Sequence, residues 1–176
     1  MGADGREHAW VRGARAGRAS DFEALFRAHW PLAHRAAYLV VHDAAAAEDI
    51  AQEAFLAAVR TLDRFDRRRP FAPWLHRIVV NRAIDWARAR GIRHEAGGEA
   101  LAGAEAPDPP REPLSPQILE ELRALSPEHR AVIVLRYLLE YTPGEIGRLL
   151  DLPRGTVNSR LRRGLDQLAG RLKDER

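Results

Sequence analysis

Cysteine is absent from this chain of 176 residues, which excludes disulfides and thiolate metal sites. The sequence has no apolar run long enough to cross a bilayer and no apolar signal segment near its start. It also has no glycine-rich phosphate loop, no nucleophile motif and no stretch with the two-residue alternation of a half-buried strand. These absences predict an all-α, cytoplasmic protein without membrane insertion, cofactor or metal.

Lysine is also nearly absent, because Lys173 is the only one and arginine supplies the rest of the positive charge. Arginine makes bidentate contacts to phosphate and guanine, although the codon bias of a GC-rich genome explains the abundance itself more simply. The net charge is only +3, but it lies in blocks. Residues 43–53 and 94–113 each carry −4, whereas residues 67–93 carry +7 and residues 153–172 carry +4. Blocks of alternating sign predict different partners for different segments.

Apolar periodicity and helix-start signals predict eight helices. They lie near residues 5–16, 20–41, 44–63, 71–90, 116–124, 127–140, 143–150 and 153–172. Ser20 and Glu23 have the spacing of a capping box, and Asp43 can cap the helix that follows it. Ser115, Ser126 and Thr142 each precede a proline at the first helical position.

Composition divides the chain into two helical units. Residues 1–93 form the first unit, and residues 94–113 are rich in Gly, Pro and acids, which is typical of a flexible acidic linker. Residues 114–176 form a second, smaller unit. Its predicted core is centred on "AVIVLRYLL", with Val132, Ile133, Leu135, Tyr137 and Leu138.

The segment "YTPGEIGRLLDLPRGTVNSRLRRG" has the pattern of a helix-turn-helix, with a turn at Leu152-Pro153. Four leucine and valine residues at a spacing of three and four predict one thin buried stripe on the second helix: Val157, Leu161, Leu165 and Leu168. Asn158 and Arg162 share another face, as do Ser159 and Arg163. Such a helix can offer polar and guanidinium groups to a DNA major groove, with Arg154 and Arg160 placed for phosphate. A solvated surface helix is the alternative.

The segment from Arg64 to Arg93 interleaves aromatic rings with arginines, which is typical of single-strand binding. Trp74, Ile78 and Ile84 share a helical face and are predicted to be core, whereas Trp86 is ambiguous. The candidates for DNA contact are Arg77, Asn81, Arg82, Trp86, Arg88, Arg90 and the run of residues 67–69.

The helix that follows Asp43 carries an acidic patch formed by Glu48, Asp49, Gln52 and Glu53. We expect its buried stripe to be Ile50, Ala54, Phe55, Ala58, Val59 and Leu62. A solvated face, a docking surface for a basic protein and a metal site remain open for the acids. No histidine stands at the spacing that helical di-metal sites use.

Three motifs in order resemble a known family. "FEALFRAHWPLAHRAAYLVV", "AEDIAQEAFLAAV" and "PFAPWLHRIVVNRAIDWAR" resemble successive parts of the sigma-2 domain of bacterial RNA polymerase sigma factors. "LSPEHRAVIVLRYLLEYTPGEIGRLLDLPRGTVNSRLRRG" resembles sigma-4. The resemblance is to the small extracytoplasmic-function type within the sigma-70 family.

The resemblance implies a non-enzymatic transcription initiation factor that gives core RNA polymerase promoter specificity. It implies that Glu48, Asp49, Gln52 and Glu53 dock on the beta-prime clamp, and that the second unit meets the beta flap. It assigns −10 DNA to Arg77, Asn81, Arg82, Trp86 and Arg88. It assigns −35 DNA to Thr156, Asn158, Ser159, Arg160, Arg162 and Arg163. An anti-sigma factor is a further expected partner.

Two alternatives from other classes stay open on the sequence. A free-standing helix-turn-helix repressor would need a dimer interface, and no heptad stripe is present for one. An all-helical metalloenzyme would use Glu48, Asp49 and Glu53. Operator binding without polymerase distinguishes the first alternative, and metal analysis distinguishes the second.

Overall fold

The computed structural model describes residues 3–66, 68–95 and 114–174, with side chains for residues 5–66, 68–92 and 114–171. Every regular element in these ranges is helical. The order is α1 (Ala3–Arg15), α2 (Ala19–Val41), α3 (Ala44–Thr61), a 3₁₀ turn (Leu62–Arg64), α4 (Phe71–Glu95), α5 (Pro116–Arg123), α6 (Pro127–Ile133), a π-turn (Val134–Leu138), α7 (Pro143–Leu150) and α8 (Arg154–Asp174). The all-α prediction is confirmed. Residues 96–113, most of the predicted linker, lie outside the described residues.

Most of the predicted helix starts are capped as the sequence indicates. The Asp43 side chain accepts a hydrogen bond from the Ala46 N–H, and Ser115 and Ser126 cap α5 and α6 in the same way. Thr142 and Glu145 form a reciprocal capping box at α7.

The predicted capping box at Ser20 is wrong. Helix α2 begins one residue earlier, and its N-cap is Arg18, which makes no side-chain cap. The tight turn at Gly17, whose φ of +79° suits glycine, sets this start. Arg18 instead donates to the Asp21 carboxylate at 2.6 Å, and Ser20 lies within the first turn of the helix.

The first unit packs α1, α3 and α4 around α2. Ile50, Ala54, Phe55 and Ala58 of α3 are buried as predicted, whereas Val59 is 43% exposed and was wrongly assigned to the core. Val59 lies one turn beyond Phe55 at the border of the buried stripe of α3, where the packing of α2 and α4 leaves it exposed.

The second unit packs α6 and α7 against α8. Val132, Ile133 and Leu135 are buried, but Tyr137 is 59% exposed, contrary to prediction. Tyr137 lies in the π-turn, where the Leu139 N–H bonds to the Val134 carbonyl five residues back, so the helical register that placed it inward does not apply.

The stripe on α8 also differs from the prediction at one position. Val157 and Leu161 are buried and Leu168 is half-buried, but Leu165 is 38% exposed. Gly164 takes its place in the interface, where a Cβ would stand 2.8 Å from Ile133 Cδ1. The absence of a side chain therefore lets α8 approach α6 closely.

The two units also pack on each other. Helices α2 and α4 of the first unit contact α5, α6 and α7 of the second. Among the described helices, none combines the length and the apolar content needed to cross a membrane. The arrangement places the long helix α4 between the acidic helix α3 and the second unit.

Candidate nucleic-acid and docking surfaces

The acidic patch on α3 is exposed throughout, since Glu48, Asp49, Gln52 and Glu53 all face solvent. Gln52 Nε2 donates to Glu48 Oε1 at 3.2 Å, which joins two of its members. Leu56 lies one turn beyond Gln52 and is 52% exposed, so an apolar side chain extends the same face. We call Glu48, Asp49, Gln52, Glu53 and Leu56 the acidic surface.

Leu56 and Val59 are functional candidates that sequence reasoning missed. Large exposed apolar side chains beside charges are typical of protein-binding surfaces. In the sequence, only the helical spacing from Gln52 to Leu56 could have indicated that an apolar side chain belongs to the acidic surface.

One side of α4 faces the acidic surface. Arg82, predicted to contact −10 DNA, donates from Nη1 to Glu53 Oε2 at 2.5 Å. The structure thus joins Arg82, which was assigned to DNA, to Glu53, which was assigned to polymerase. Asn81 is half-buried beside it.

The other side of α4 faces the second unit. Arg77 Nη2 donates to Asp151 Oδ2 at 2.6 Å, and Arg88 Nε donates to Glu128 Oε1 at 2.6 Å. Asp151 ends α7 and Glu128 lies in the first turn of α6. Two of the predicted −10 contacts are therefore occupied by acids of the helix-turn-helix unit. We call these the two inter-unit ion pairs.

His76 adds a further contact between the two units. Its Nδ1 lies 2.8 Å from the Tyr141 hydroxyl, and its Nε2 is buried without a hydrogen-bond partner among the described residues. Burial lowers the pKa of His76 to about 4, and the nearby His29 adds to the effect. Burial also raises the pKa of the Tyr141 hydroxyl. The pair is therefore neutral near pH 7.

An aromatic cleft of about 590 Å³ opens at the N-terminal end of α4. Phe65, Trp74 and Tyr141 line it, and Phe65 and Trp74 lie 4.8 Å apart between ring centroids. Its remaining walls include four guanidinium groups, from Arg64, Arg69, Arg77 and Arg148. Trp74 was predicted to be core; it packs against the core but is only half-buried, and it also lines the cleft.

Trp86 lies two to three turns further along α4 and does not line the aromatic cleft. It is half-buried, and the Arg90 guanidinium stands 5.1 Å from its ring centroid. Arg90 in turn donates to Asp43 Oδ2 at 2.6 Å. The predicted −10 residues are thus spread over about three turns of α4 rather than gathered in one site.

Glu7 of α1 holds the start of α4, a role that nothing in the sequence indicated. Its Oε1 accepts from the Phe71 N–H at 2.8 Å, and its Oε2 lies 3.0 Å from His29 Nε2. The hydrogen bond with His29 lowers the pKa of the Glu7 carboxyl. A carboxylate at a helix N-terminus accepts from a free N–H and interacts favourably with the positive end of the helix dipole.

The helix-turn-helix geometry depends on a close approach at its turn. Asp151 adopts the left-handed conformation at φ 53°, and the Leu152 N–H donates to the Gly147 carbonyl at 2.8 Å. A Cβ on Gly147 would stand 2.7 Å from the Leu152 carbonyl oxygen. Glycine therefore lets the turn close against α7, which sets the angle of α8.

The outer face of α8 carries the predicted −35 residues. Asn158, Arg162 and Arg163 are exposed, while Thr156, Ser159 and Arg160 are half-buried. None of these six side chains is hydrogen-bonded or ion-paired to another residue in the part of the chain that the structure describes. This surface differs from α4, where Arg77, Arg82, Arg88 and Arg90 have partners.

The acids of α3 do not assemble a metal site in the structure. Within the described ranges, no group of three or more His, Asp or Glu side chains is placed to hold a metal ion.

Two segments of the chain match models of a known protein family. Residues 25–92 match sigma-70 region 2, and residues 122–169 match sigma-70, region 4. The chain is 37% identical to the ECF RNA polymerase sigma factor SigW of Bacillus subtilis over 149 residues, which cover 76% of this chain and 78% of that protein.

Solved structures give the same result. A structure of CnrH in complex with the cytosolic domain of CnrY matches with a TM-score of 0.73 and 26% identity, covering 97% of this chain and 99% of that one. The sigma factor RpoE in complex with the anti-sigma factor NepR from Bartonella quintana matches in fold with a TM-score of 0.74. That match is 22% identical and covers 90% of this chain and 100% of the other.

Proposed function

The chain belongs to the extracytoplasmic-function sigma factors of the sigma-70 family, and from that premise we propose how its surfaces divide promoter recognition between them. It is a transcription initiation factor that binds core RNA polymerase and directs it to promoters. The observation that carries this function is that regions 2 and 4 occur in order on one chain. The free-standing repressor is not favoured, because region 2 has no part in it. The factor acts by binding rather than catalysis, in the cytoplasm with the polymerase.

The acidic surface is the proposed dock for the beta-prime clamp of core polymerase. It offers Asp49, Glu53 and Glu48 to a basic partner, and Leu56 supplies apolar area that becomes buried on contact. Complementary charge increases the rate of association and fixes orientation, while buried apolar area contributes affinity. The ion pair between Glu53 and Arg82 links this dock to the DNA-binding helix behind it.

Helix α4 and the wall that the first unit contributes to the aromatic cleft are the proposed reader of the −10 element. Unpaired bases stack on aromatic rings, at about 1–3 kcal/mol per base, and arginines hold the backbone beside them. Trp74 supplies a half-buried ring in the cleft, with the buried Phe65 packed behind it, and Arg77 supplies charge. Asn81, Arg82 and Arg88 extend the contact along α4, and Trp86 extends it toward the C-terminal end.

Helix α8 is the proposed reader of the −35 element. Its exposed polar face fits a major groove, where Arg162 or Arg163 can contact guanine and Asn158 can contact adenine. The side chains of Thr156, Ser159 and Arg160 are half-buried against the rest of the unit and are placed to contact DNA phosphates. The same unit is the proposed contact for the beta flap.

We assign residues 1–93 to the polymerase-binding and −10 unit, 94–113 to the linker and 114–176 to the −35 unit. Helix α4 continues to Glu95, so the first unit extends two residues into the segment assigned to the linker. Since Arg77 and Arg88 are held by acids of the second unit, the two units must separate before α4 is free for DNA. An anti-sigma factor that covers both units is a further proposed partner, supported by the fold match to a sigma factor bound to one.

The polymerase dock can be tested with one charge reversal. Asp49→Arg should weaken binding to core polymerase about tenfold or more, because like charges facing each other across an interface cost several kcal/mol. Asp49 is a better choice than Glu53, whose loss would also release Arg82. The measurement is a titration of labelled protein with purified core polymerase.

Glu23→Arg is the matched control, since Glu23 is an exposed helical acid of α2. It should bind core polymerase as the wild type does, and run-off transcription should follow binding in each variant. Wild-type affinity in Asp49→Arg, with an unchanged circular dichroism spectrum, would show that α3 is not the dock.

A further inference from the structure

A second cleft, of about 320 Å³, lies at the C-terminal end of α4, where the two units meet. The first unit contributes His42, Trp86 and Arg90 to its walls, and the second unit contributes Arg123 and Arg130. Of these residues, the proposed function uses only Trp86, and the sequence analysis offered Arg90 as a further candidate for DNA contact. Neither the polymerase dock nor the −35 helix lines this cleft.

Three guanidinium groups converge on the cleft, and none of the described residues that line it is a carboxylate. Two of these three arginines pair with acids that lie outside the lining. Asp43 caps α3 and pairs with Arg90, and Glu128 pairs with Arg88. Glu120 lies 3.9 Å from Arg123 on the surface of α5. Arg130 is ion-paired with none of the described residues, so its charge remains for a ligand in the cleft.

Two buried nitrogen atoms in the cleft have no hydrogen-bond partner among the described residues. Arg130 is only 8% exposed, and its Nε–H has no acceptor. Nε2 of His42 is likewise buried and unpartnered. A buried charged donor without a partner is costly, so an acceptor that reaches the Arg130 Nε–H would compensate it.

The protonation states are consistent with an anion site. Burial, followed by the charges of Arg130 and Arg123, lowers the pKa of His42 to about 3, so this ring is neutral. Burial lowers the pKa of Arg130 to about 10, which leaves its guanidinium charged near pH 7. The charge for an anion thus comes from the arginines.

We propose that this cleft binds the phosphate group of a small ligand, either a free phosphate anion or a nucleotide, and that the bound phosphate bridges the two units. Guanidinium forks match phosphate oxygens in geometry and charge. The volume lies at the lower end for small-molecule sites, which suits a compact ligand. The Trp86 ring beside the arginines offers a surface for a base.

The bridging geometry has a consequence for the whole molecule. Arg90 and His42 belong to one unit, and Arg123 and Arg130 belong to the other, so the complete site exists only while the units are packed. A ligand that binds only this arrangement stabilises it by mass action. The inference does not depend on which promoter elements the protein reads.

The test uses the full chain, with pyrophosphate and a nucleoside diphosphate as probes in calorimetric titrations at ionic strength matched with sodium chloride. Arg123→Gln should weaken pyrophosphate binding about tenfold or more, because charge-assisted hydrogen bonds to phosphate are lost. The Arg123 side chain is 59% exposed, so this variant is expected to fold. Arg60→Gln on α3 makes the same charge change on an exposed surface and is the control.

Nitrogen-15 spectra of the arginine Nε–H groups provide a second measurement. The Arg130 signal, identified by its loss in Arg130→Lys, should shift when pyrophosphate is added. A nucleoside diphosphate that binds tighter than pyrophosphate would identify a nucleotide as the source of the phosphate, and equal affinity would identify the free anion. Equal weakening in Arg123→Gln and Arg60→Gln, an unmoved Arg130 signal, or a shift with duplex DNA alone would each overturn the proposal.

Discussion

Removing the acids of the two inter-unit ion pairs should open the free protein. Asp151→Asn and Glu128→Gln delete one charge each and leave Arg77 and Arg88 in place. Asparagine tolerates the left-handed conformation that position 151 adopts at φ 53°, so the turn is preserved. The double variant therefore tests the charges with little change in shape.

The expected magnitude follows from exposure. The side chains are 44% and 75% exposed in the pair of Arg77 with Asp151, and 52% and 23% exposed in the pair of Arg88 with Glu128. Pairs this exposed contribute about 0.2–1 kcal/mol each, so the two together contribute about 0.4–2 kcal/mol. The opening equilibrium should therefore rise about 2- to 30-fold, since 1.4 kcal/mol is tenfold. The difference should shrink with added salt.

Fluorescence energy transfer between the units measures this equilibrium. The chain has no cysteine, so Arg60→Cys and Gln167→Cys provide one exposed label site in each unit. Glu23→Gln is the control, because it removes an acid that pairs with Arg27 inside α2. Transfer efficiency in the double variant equal to that of the wild type and of Glu23→Gln, at low salt, would refute the reasoning that these pairs hold the units together.

Three further predictions concern stability and base reading. His76 should lower the unfolding free energy by up to about 1.4 kcal/mol per pH unit as the pH drops from 6.5 toward 4, because the proton prefers the unfolded chain when the folded-state pKa of His76 is about 4. His42, whose pKa is about 3, adds a slope of its own, so His76→Gln should reduce the total slope in urea titrations without abolishing it. Gly147→Ala should destabilise the fold by about 1–3 kcal/mol in thermal unfolding, because the added Cβ would collide with the Leu152 carbonyl oxygen. Gly144→Ala in the same helix is the control, because its Cβ would enter open space and should leave stability unchanged or slightly higher. Arg162→Ala should weaken binding to the best −35 sequence by about 1–3 kcal/mol and relax base preference there. Arg160→Ala should weaken binding to all sequences alike and reduce the slope of log affinity against log salt concentration by about one. Competition binding of holoenzyme to a −35 library at two salt concentrations distinguishes the two variants, and unchanged base preference in Arg162→Ala would count against its role as a base reader.

Sequence alone determined the features whose cause is local. Helix starts at Asp43, Ser126 and Thr142 follow from hydrogen bonds to N–H groups three residues away. The exposure of Asp49 and Arg162 follows from helical periodicity, because each stands off the apolar stripe of its own helix. These interactions span a few residues, so a linear pattern contains all the information they need.

Register within a helix was predictable only where the helix is regular and its packed face is known. Tyr137 was misplaced because a π-turn changes the rotation per residue, and the sequence "LRYLL" does not signal that turn. Val59 and Leu165 were misplaced because an apolar residue at the border of a stripe is buried only if a neighbouring helix reaches it.

Only the tertiary structure decided which charges meet across the chain. Arg77 pairs with an acid 74 residues away, Arg88 with one 40 residues away, and Glu7 accepts a hydrogen bond from a residue 64 positions away. Each partner is one of many carboxylates or N–H groups that the sequence offers, and surface charge pairs are too weak to select one another across such separations. The packing of α2 and α4 against α5, α6 and α7 makes that choice, because burial of apolar area sets the positions of the helices and the ion pairs form where those positions bring opposite charges together.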